Sequence, residues 1–116
     1  MLTLVGLGLY DENDITLRGL DAAKNADKVY IELYTGKWHG NLENLSKIIG
    51  KHIIELTRKD LEDNYKKILD EADRKNVVIF VQGDPLVATT HAVLLLDAKK
   101  HDIDTKLIHN ASIISA

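Results

Sequence analysis

A chain of 116 residues, 45% hydrophobic and 28% charged, suits one folded domain and is too apolar for wholesale disorder. Its formal charge of −3, with acidic residues interspersed among the Lys and Arg, leaves no continuous basic stripe and disfavours direct nucleic-acid binding. The absence of cysteine excludes disulfides, thiolate metal sites and cysteine catalysis; no apolar run approaches the ~18 residues of a membrane span, and Met1-Leu2-Thr3-Leu4-Val5 runs into Gly6-Leu7-Gly8 rather than a signal peptide. A soluble, cytoplasmic protein is the expectation.

Leu2 to Val5 reads as a short apolar strand, closed by Gly6-Leu7-Gly8-Leu9-Tyr10 and the acidic loop Asp11-Glu12-Asn13-Asp14. Asp14 or Thr16 is placed to cap a helix running to about Ala26, with Leu17, Leu20 and Ala23 or Lys24 at three-to-four spacing. Lys28 to Tyr34 forms the second strand. Asn41 caps a helix whose Leu42, Leu45, Ile48 and Ile49 make one apolar stripe, stopped by Gly50. His52 to Leu56 is a third strand. Asp60 opens a helix carrying Leu61, Tyr65, Ile68, Leu69 and Ala72, closed by Arg74-Lys75-Asn76. Val77 to Gln82 is apolar on both faces and is expected to be a central strand. A helix from about Thr90 to His101 follows, then a strand from Thr105 to His109 and a helix start at Ser112.

Five strands separated by four helices give βαβαβαβαβ, and right-handed crossovers make this a five-stranded, mostly parallel α/β sheet with helices on both faces. Local pattern does not report the strand order. The helix start at Ser112 followed by so few residues suggests the first domain of a longer protein.

In an open α/β sheet, ligands bind where loops leave the carboxyl ends of the strands. Gly6-Leu7-Gly8 permits close backbone approach to a ligand, but a dinucleotide fingerprint needs a third small residue where Asp11 stands, and Glu12 and Asp14 would repel a pyrophosphate. A P-loop is absent. Gly83-Asp84-Pro85, leaving the fourth strand, reads as a plain turn or as a turn presenting one carboxylate to a ligand ammonium or ribose. Thr89 and Thr90, standing before an apolar helix, read more readily as helix caps than as ligand contacts. The histidines, His39, His52, His91, His101 and His109, lack the spacing of a helical metal site, and no metal is expected. Ser112 and Ser115 have no triad partners or nucleophile-elbow glycines. Tyr34 and Trp38 flank Thr35-Gly36-Lys37, either as an aromatic loop over a cleft or as loop packing.

Three motifs together go further: Gly6-Leu7-Gly8-Leu9-Tyr10-Asp11-Glu12 with Asp14-Ile15-Thr16, Gly83-Asp84-Pro85 with Ala88-Thr89-Thr90-His91, and His109-Asn110-Ala111-Ser112-Ile113-Ile114. In order and spacing they resemble the N-terminal half of the diphthine synthase family, within the tetrapyrrole methylase superfamily. The resemblance covers essentially the whole chain. It implies that residues 1–116 are the N-terminal domain of a two-domain methyltransferase that holds S-adenosylmethionine between its domains. The implied acceptor is the amino group of a modified histidine on translation elongation factor 2, in diphthamide biosynthesis, and the implied assembly is a homodimer. Carried over motif by motif, the cosubstrate contacts fall on Leu9, Asp84, Val87, Ser112 and Ile113.

No protein nucleophile is implied. In-line alignment and exclusion of water supply most of the catalysis of methyl transfer, and the catalytic base is not identified, His91 or a carboxylate being candidates. Leu9-Tyr10-Asp11-Glu12 replaces the Gly-Pro-Gly-Asp turn usual in corrin and sirohaem methylases. Asn110-Ala111 stands where archaeal members often show Ala-Pro, and Val93 where they show Asp. Without the second domain the chain is expected to lack useful activity. The rival readings are a tetrapyrrole or RNA methylase of the same superfamily and a non-catalytic interaction module.

Overall fold

Short caps, rather than long stretches of strong helix former, set most of the element boundaries. The computed structural model describes residues 1–34, 38–83 and 89–110, with backbone only at Thr89, Thr90 and His91. The strands are β1 (Leu2–Gly6), β2 (Lys28–Glu32), β3 (Ile53–Leu56), β4 (Val77–Val81) and β5 (Thr105–Ile108). The helices are α1 (Leu17–Lys24), α2 (Leu42–Ile49), α3 (Arg58–Glu62), α4 (Lys66–Arg74) and α5 (Thr89–Lys100).

Thr16 is the cap of α1, its hydroxyl accepting from the Gly19 amide at 3.1 Å. Asn41 caps α2 through the Asn44 amide at 3.0 Å, and Gly50, at φ 70°, ends it. Asp60 does not open its helix as expected. Thr57 caps α3, and Asp60, three residues in, reaches back to the Thr57 amide at 2.8 Å. The single long helix expected there is two, α3 and α4, because Asp63 and Asn64, whose side chains compete for local backbone, stand at the break. The expected apolar stripes are also narrower: Leu17 is 85% exposed and Ile48 is exposed.

All strand pairs are parallel, in the order β3-β2-β4-β1-β5. This is the expected class, with β4 in the middle and every one of its residues buried. Leu2 and Leu4 of β1, with Val77, Ile79 and Val81 of β4, face a core closed by Leu61, Ile68, Leu69, Leu94 and Ala98 of α3, α4 and α5. Val5, Ile31 and Phe80 face a second core closed by Ala23, Leu45 and Ile49 of α1 and α2. Strand alternation thus gives the sheet two apolar faces, and each takes its own helical layer. The functional consequence lies at the carboxyl edge. β4 sends its chain to α5 on one face, whereas its neighbours β1 and β2 send theirs to α1 and α2 on the other, so the chain changes face beside β4, the kind of position at which open α/β sheets bind ligands.

Candidate functional site

Three strand exits are tied together at this edge. Beyond β1 and β4, Gly8 and Gly83 exchange backbone hydrogen bonds, Gly8 N to Gly83 O at 3.3 Å and Gly83 N to Gly8 O at 3.2 Å. Just after β5, the Asn110 side-chain amide donates to Gly6 O at 3.1 Å and to Asp14 O at 2.8 Å. Gly8, Gly83 and Asn110 are therefore fixed against one another, and Leu9, Asp84 and Ala111 are the next residues of the three chains.

This gives the first glycine motif a reason the sequence did not disclose. A Cβ on Gly6 would lie 2.5 Å from Gly83 O and 2.9 Å from Asn110 Cβ, so the close approach is by the protein's own β4 and β5 exits rather than by a ligand. Gly8 is at φ 82°, a left-handed conformation that glycine accommodates best, and directs the chain out of the sheet. Immediately afterwards Leu9 and Tyr10 are 49% and 58% exposed, an apolar step on the rim.

The acidic loop proves to be architectural. Glu12–Asp14 form a single 3-10 turn capped by Asp11, whose carboxylate accepts from the Asn13 amide at 3.0 Å. Asp14 Oδ2 accepts from the Tyr10 and Asp11 amides at 2.9 and 3.0 Å. Glu12 straps the β1 exit to the start of α2, accepting from the Asn41 amide at 2.8 Å and Asn44 Nδ2 at 3.4 Å. Tyr10 and His39 stack across the same junction, ring centroids 4.8 Å apart, and the His39 amide donates to Tyr10 O at 2.9 Å.

The Asn41 amide holds the Glu12 carboxyl below the usual glutamate range. A carboxylate with a lowered folded value contributes stability above its unfolded pKa of about 4.3 and loses it as pH falls through the folded value. Glu12→Gln is therefore expected to be a few tenths of a kcal/mol less stable than the wild type at pH 7, with a smaller deficit at pH 3, since the carboxylate is largely solvated and is progressively protonated in acid. Urea midpoints at the two pH values check this; a deficit that does not shrink in acid contradicts it.

Glu32, at the end of β2, is 0% exposed, the one fully buried charged side chain among the described residues. Its Oε1 accepts from the Gln82 amide at 3.2 Å, at the exit of β4. Sequence reading passed over it, although a lone charge inside Val29-Tyr30-Ile31-Glu32-Leu33-Tyr34 was the available signal. Tyr34 and Trp38 do not form one aromatic surface: Tyr34 packs against the α3–α5 core and Trp38 against the α1–α2 core. Arg58 lies 5.1 Å from the Tyr34 ring centroid.

Of the expected site residues, Leu9 stands exposed at the joined exits. Asp84, Val87, Ser112 and Ile113 lie outside the described residues, as does the His91 side chain. Among the described residues, no three His, Asp or Glu side chains gather as a metal site, and no helix is long and apolar enough to cross a membrane.

Parallel strands whose exits are joined behind a Gly-Leu-Gly turn define an open α/β class of protein. The family model for Tetrapyrrole (Corrin/Porphyrin) Methylases matches residues 1–116, and the chain belongs to that family. Within it, the chain is similar to diphthine synthases. It is 47% identical over 116 residues to the diphthine synthase of Archaeoglobus fulgidus, covering 100% of this chain and 46% of that protein. It is 44% identical over 116 residues to the diphthine methyl ester synthase of Schizosaccharomyces pombe, covering 100% and 41%. A crystal structure of diphthine synthase matches with a TM-score of 0.93 at 46% identity, over 97% of this chain and 45% of that one. The chain spans about half the length of the curated relatives it matches.

Proposed function

We propose that residues 1–116 are the N-terminal domain of an S-adenosylmethionine-dependent diphthine synthase, methylating the amino group of the modified histidine on translation elongation factor 2. The observation that carries the reading is the joining of the β1, β4 and β5 exits, because Leu9, Asp84, Val87 and the Ser112-Ile113 pair all follow from them. Similarity to diphthine synthases across the whole chain supports the same reading. A second domain is proposed as the other wall of the cleft, so this chain alone is expected to bind weakly and to turn over poorly. A homodimer in the cytoplasm completes the proposal.

The residues present fit such a cosubstrate in two respects. Leu9 is an exposed apolar group beside a fixed turn, suited to an adenine or ribose face, and the nearby Asp11, Glu12 and Asp14 carboxylates are already engaged. Bound S-adenosylmethionine supplies an activated methyl group on a sulfonium. The chain's own contribution is then orientation, with the joined exits holding Leu9 at one rim. Asp84 is proposed to face the cationic end of the cosubstrate, as a carboxylate leaving a strand toward a positive charge. The accepting amine must be neutral to attack, so its proton leaves before or during transfer, to His91 or to a carboxylate.

Titration of S-adenosylhomocysteine into the chain, with Asp84→Ala beside it, tests the half-site. The mutant is expected to bind at least tenfold more weakly, about 1.4 kcal/mol. Equal binding by both removes Asp84 from the site, and no binding even with the downstream domain attached removes the cosubstrate assignment. Membership of a family of corrin and porphyrin methylases keeps a tetrapyrrole acceptor as the second reading. Methyl transfer to elongation factor 2 carrying the modified histidine, compared with a porphyrinoid, decides between them. The ester named in the Schizosaccharomyces pombe relative makes product analysis for N- and O-methyl groups part of that assay.

A further inference from the structure

We infer that Glu32 is a positioning residue for the cosubstrate site, a carboxylate that holds the β4 exit where Asp84 can reach the ligand; the inference rests on the reading above. β2 and β4 run in register from Lys28 with Val77 to Ile31 with Phe80. At the next step the strands part, since Leu33 already lies outside the ladder. The Gln82 amide, part-buried past the last paired residues of β2 and β4, calls for an acceptor such as a ladder carbonyl supplies within the sheet. Glu32 Oε1 takes the Gln82 amide at 3.2 Å in its place, from a side chain that is 0% exposed.

The position of this bond along the chain is what links it to function. Gln82 is held by Glu32 toward β2, and the next residue, Gly83, is held by Gly8 toward β1. Two successive residues are thus fixed from opposite sides, one residue short of Asp84. Gly83, at φ 66°, has the conformational freedom to swing if either hold is lost.

The test compares Glu32→Leu, which removes the acceptor, with Glu32→Gln, which keeps one. Asp84→Ala serves as reference, and the protein is used in whichever form binds S-adenosylhomocysteine, this chain or the chain with its downstream domain. Two quantities are read: exchange of the Gln82 amide against those of Val78 to Phe80, and S-adenosylhomocysteine affinity by calorimetry. For Glu32→Leu, Gln82 exchange at least tenfold faster with the β4 amides unchanged, and affinity at least tenfold weaker, are expected. Glu32→Gln is expected to stay within threefold of wild type on both. If Glu32→Leu does not fold, Glu32→Asp, which withdraws the carboxylate by one methylene, carries the same two readouts and the same expectations as Glu32→Leu. Affinity unchanged in the folded acceptor-removing variant while Asp84→Ala loses it overturns the inference and leaves the cosubstrate reading standing. Absence of binding in every form of the wild type overturns both.

Discussion

Gly6→Ala is expected to destabilise the protein by about 2–3 kcal/mol, the upper range for overpacking, and to weaken S-adenosylhomocysteine binding at least tenfold. The new methyl would sit 2.5 Å from Gly83 O, 2.9 Å from Asn110 Cβ and 3.3 Å from the Asn110 amide nitrogen. These atoms are backbone, or fixed to it, so no flexible side-chain end can yield. Relief requires moving the β4 or β5 exit, and those exits carry the proposed contacts at Asp84, Val87, Ser112 and Ile113. Gly50→Ala is the matched control. Its φ is 70°, but its Cβ would meet nothing within 4 Å, so only the left-handed backbone cost of about 1 kcal/mol applies, and binding should not change. Urea denaturation and calorimetry read both variants. A Gly6→Ala protein no less stable than Gly50→Ala and unaltered in binding would refute the account of the joined exits.

Phe80→Ala is expected to cost about 3–5 kcal/mol, as for buried aromatic truncations generally. Phe80 is fully buried at the middle of the sheet, opposite Ile31 of β2 and Val5 of β1, in the core beneath α1 and α2. Cavity collapse is opposed because strands on both sides hold the backbone. Set against a domain stability of about 5–15 kcal/mol, the loss is a large part of the whole, and the urea midpoint should fall accordingly. Leu17→Ala, at an 85% exposed position, should shift it by no more than about 0.5 kcal/mol. Comparable losses at the two positions would mean that the core is not where the fold places it.

Only Leu9 of the five expected site residues falls among those described. Strand-end loops after Val5, Gln82 and His109 were legible because apolar runs stop there at glycine or asparagine. The motifs in those loops carried the resemblance, and family membership followed from their order. The acid loop misled in one respect. Glu12 and Asp14 read as charges that would repel a pyrophosphate, but Asp14 spends its carboxylate on local backbone, a use that short polar side chains favour, and Glu12 spends its own on the Asn41 amide 29 residues away. Glu32 and Asn110 went unassigned because their partners, Gln82, Gly6 and Asp14, lie 50, 104 and 96 residues away.

The sequence by itself determined the class of fold. Period-two and fully apolar runs alternate with capped helical ones, and chain chirality leaves a parallel, two-sided sheet as the solution. It also determined which loops were candidates, since turn residues mark strand exits locally. Tertiary structure alone decided the order β3-β2-β4-β1-β5, because apolar strands of similar composition do not specify their neighbours. That order then made Gly6 an obligatory glycine, made Gly8 the partner of Gly83, and turned Glu32 into the acceptor at the fork of β2 and β4. Each of these depends on two chains being brought within a few ångströms, and such proximity is a property of packing that no local pattern encodes.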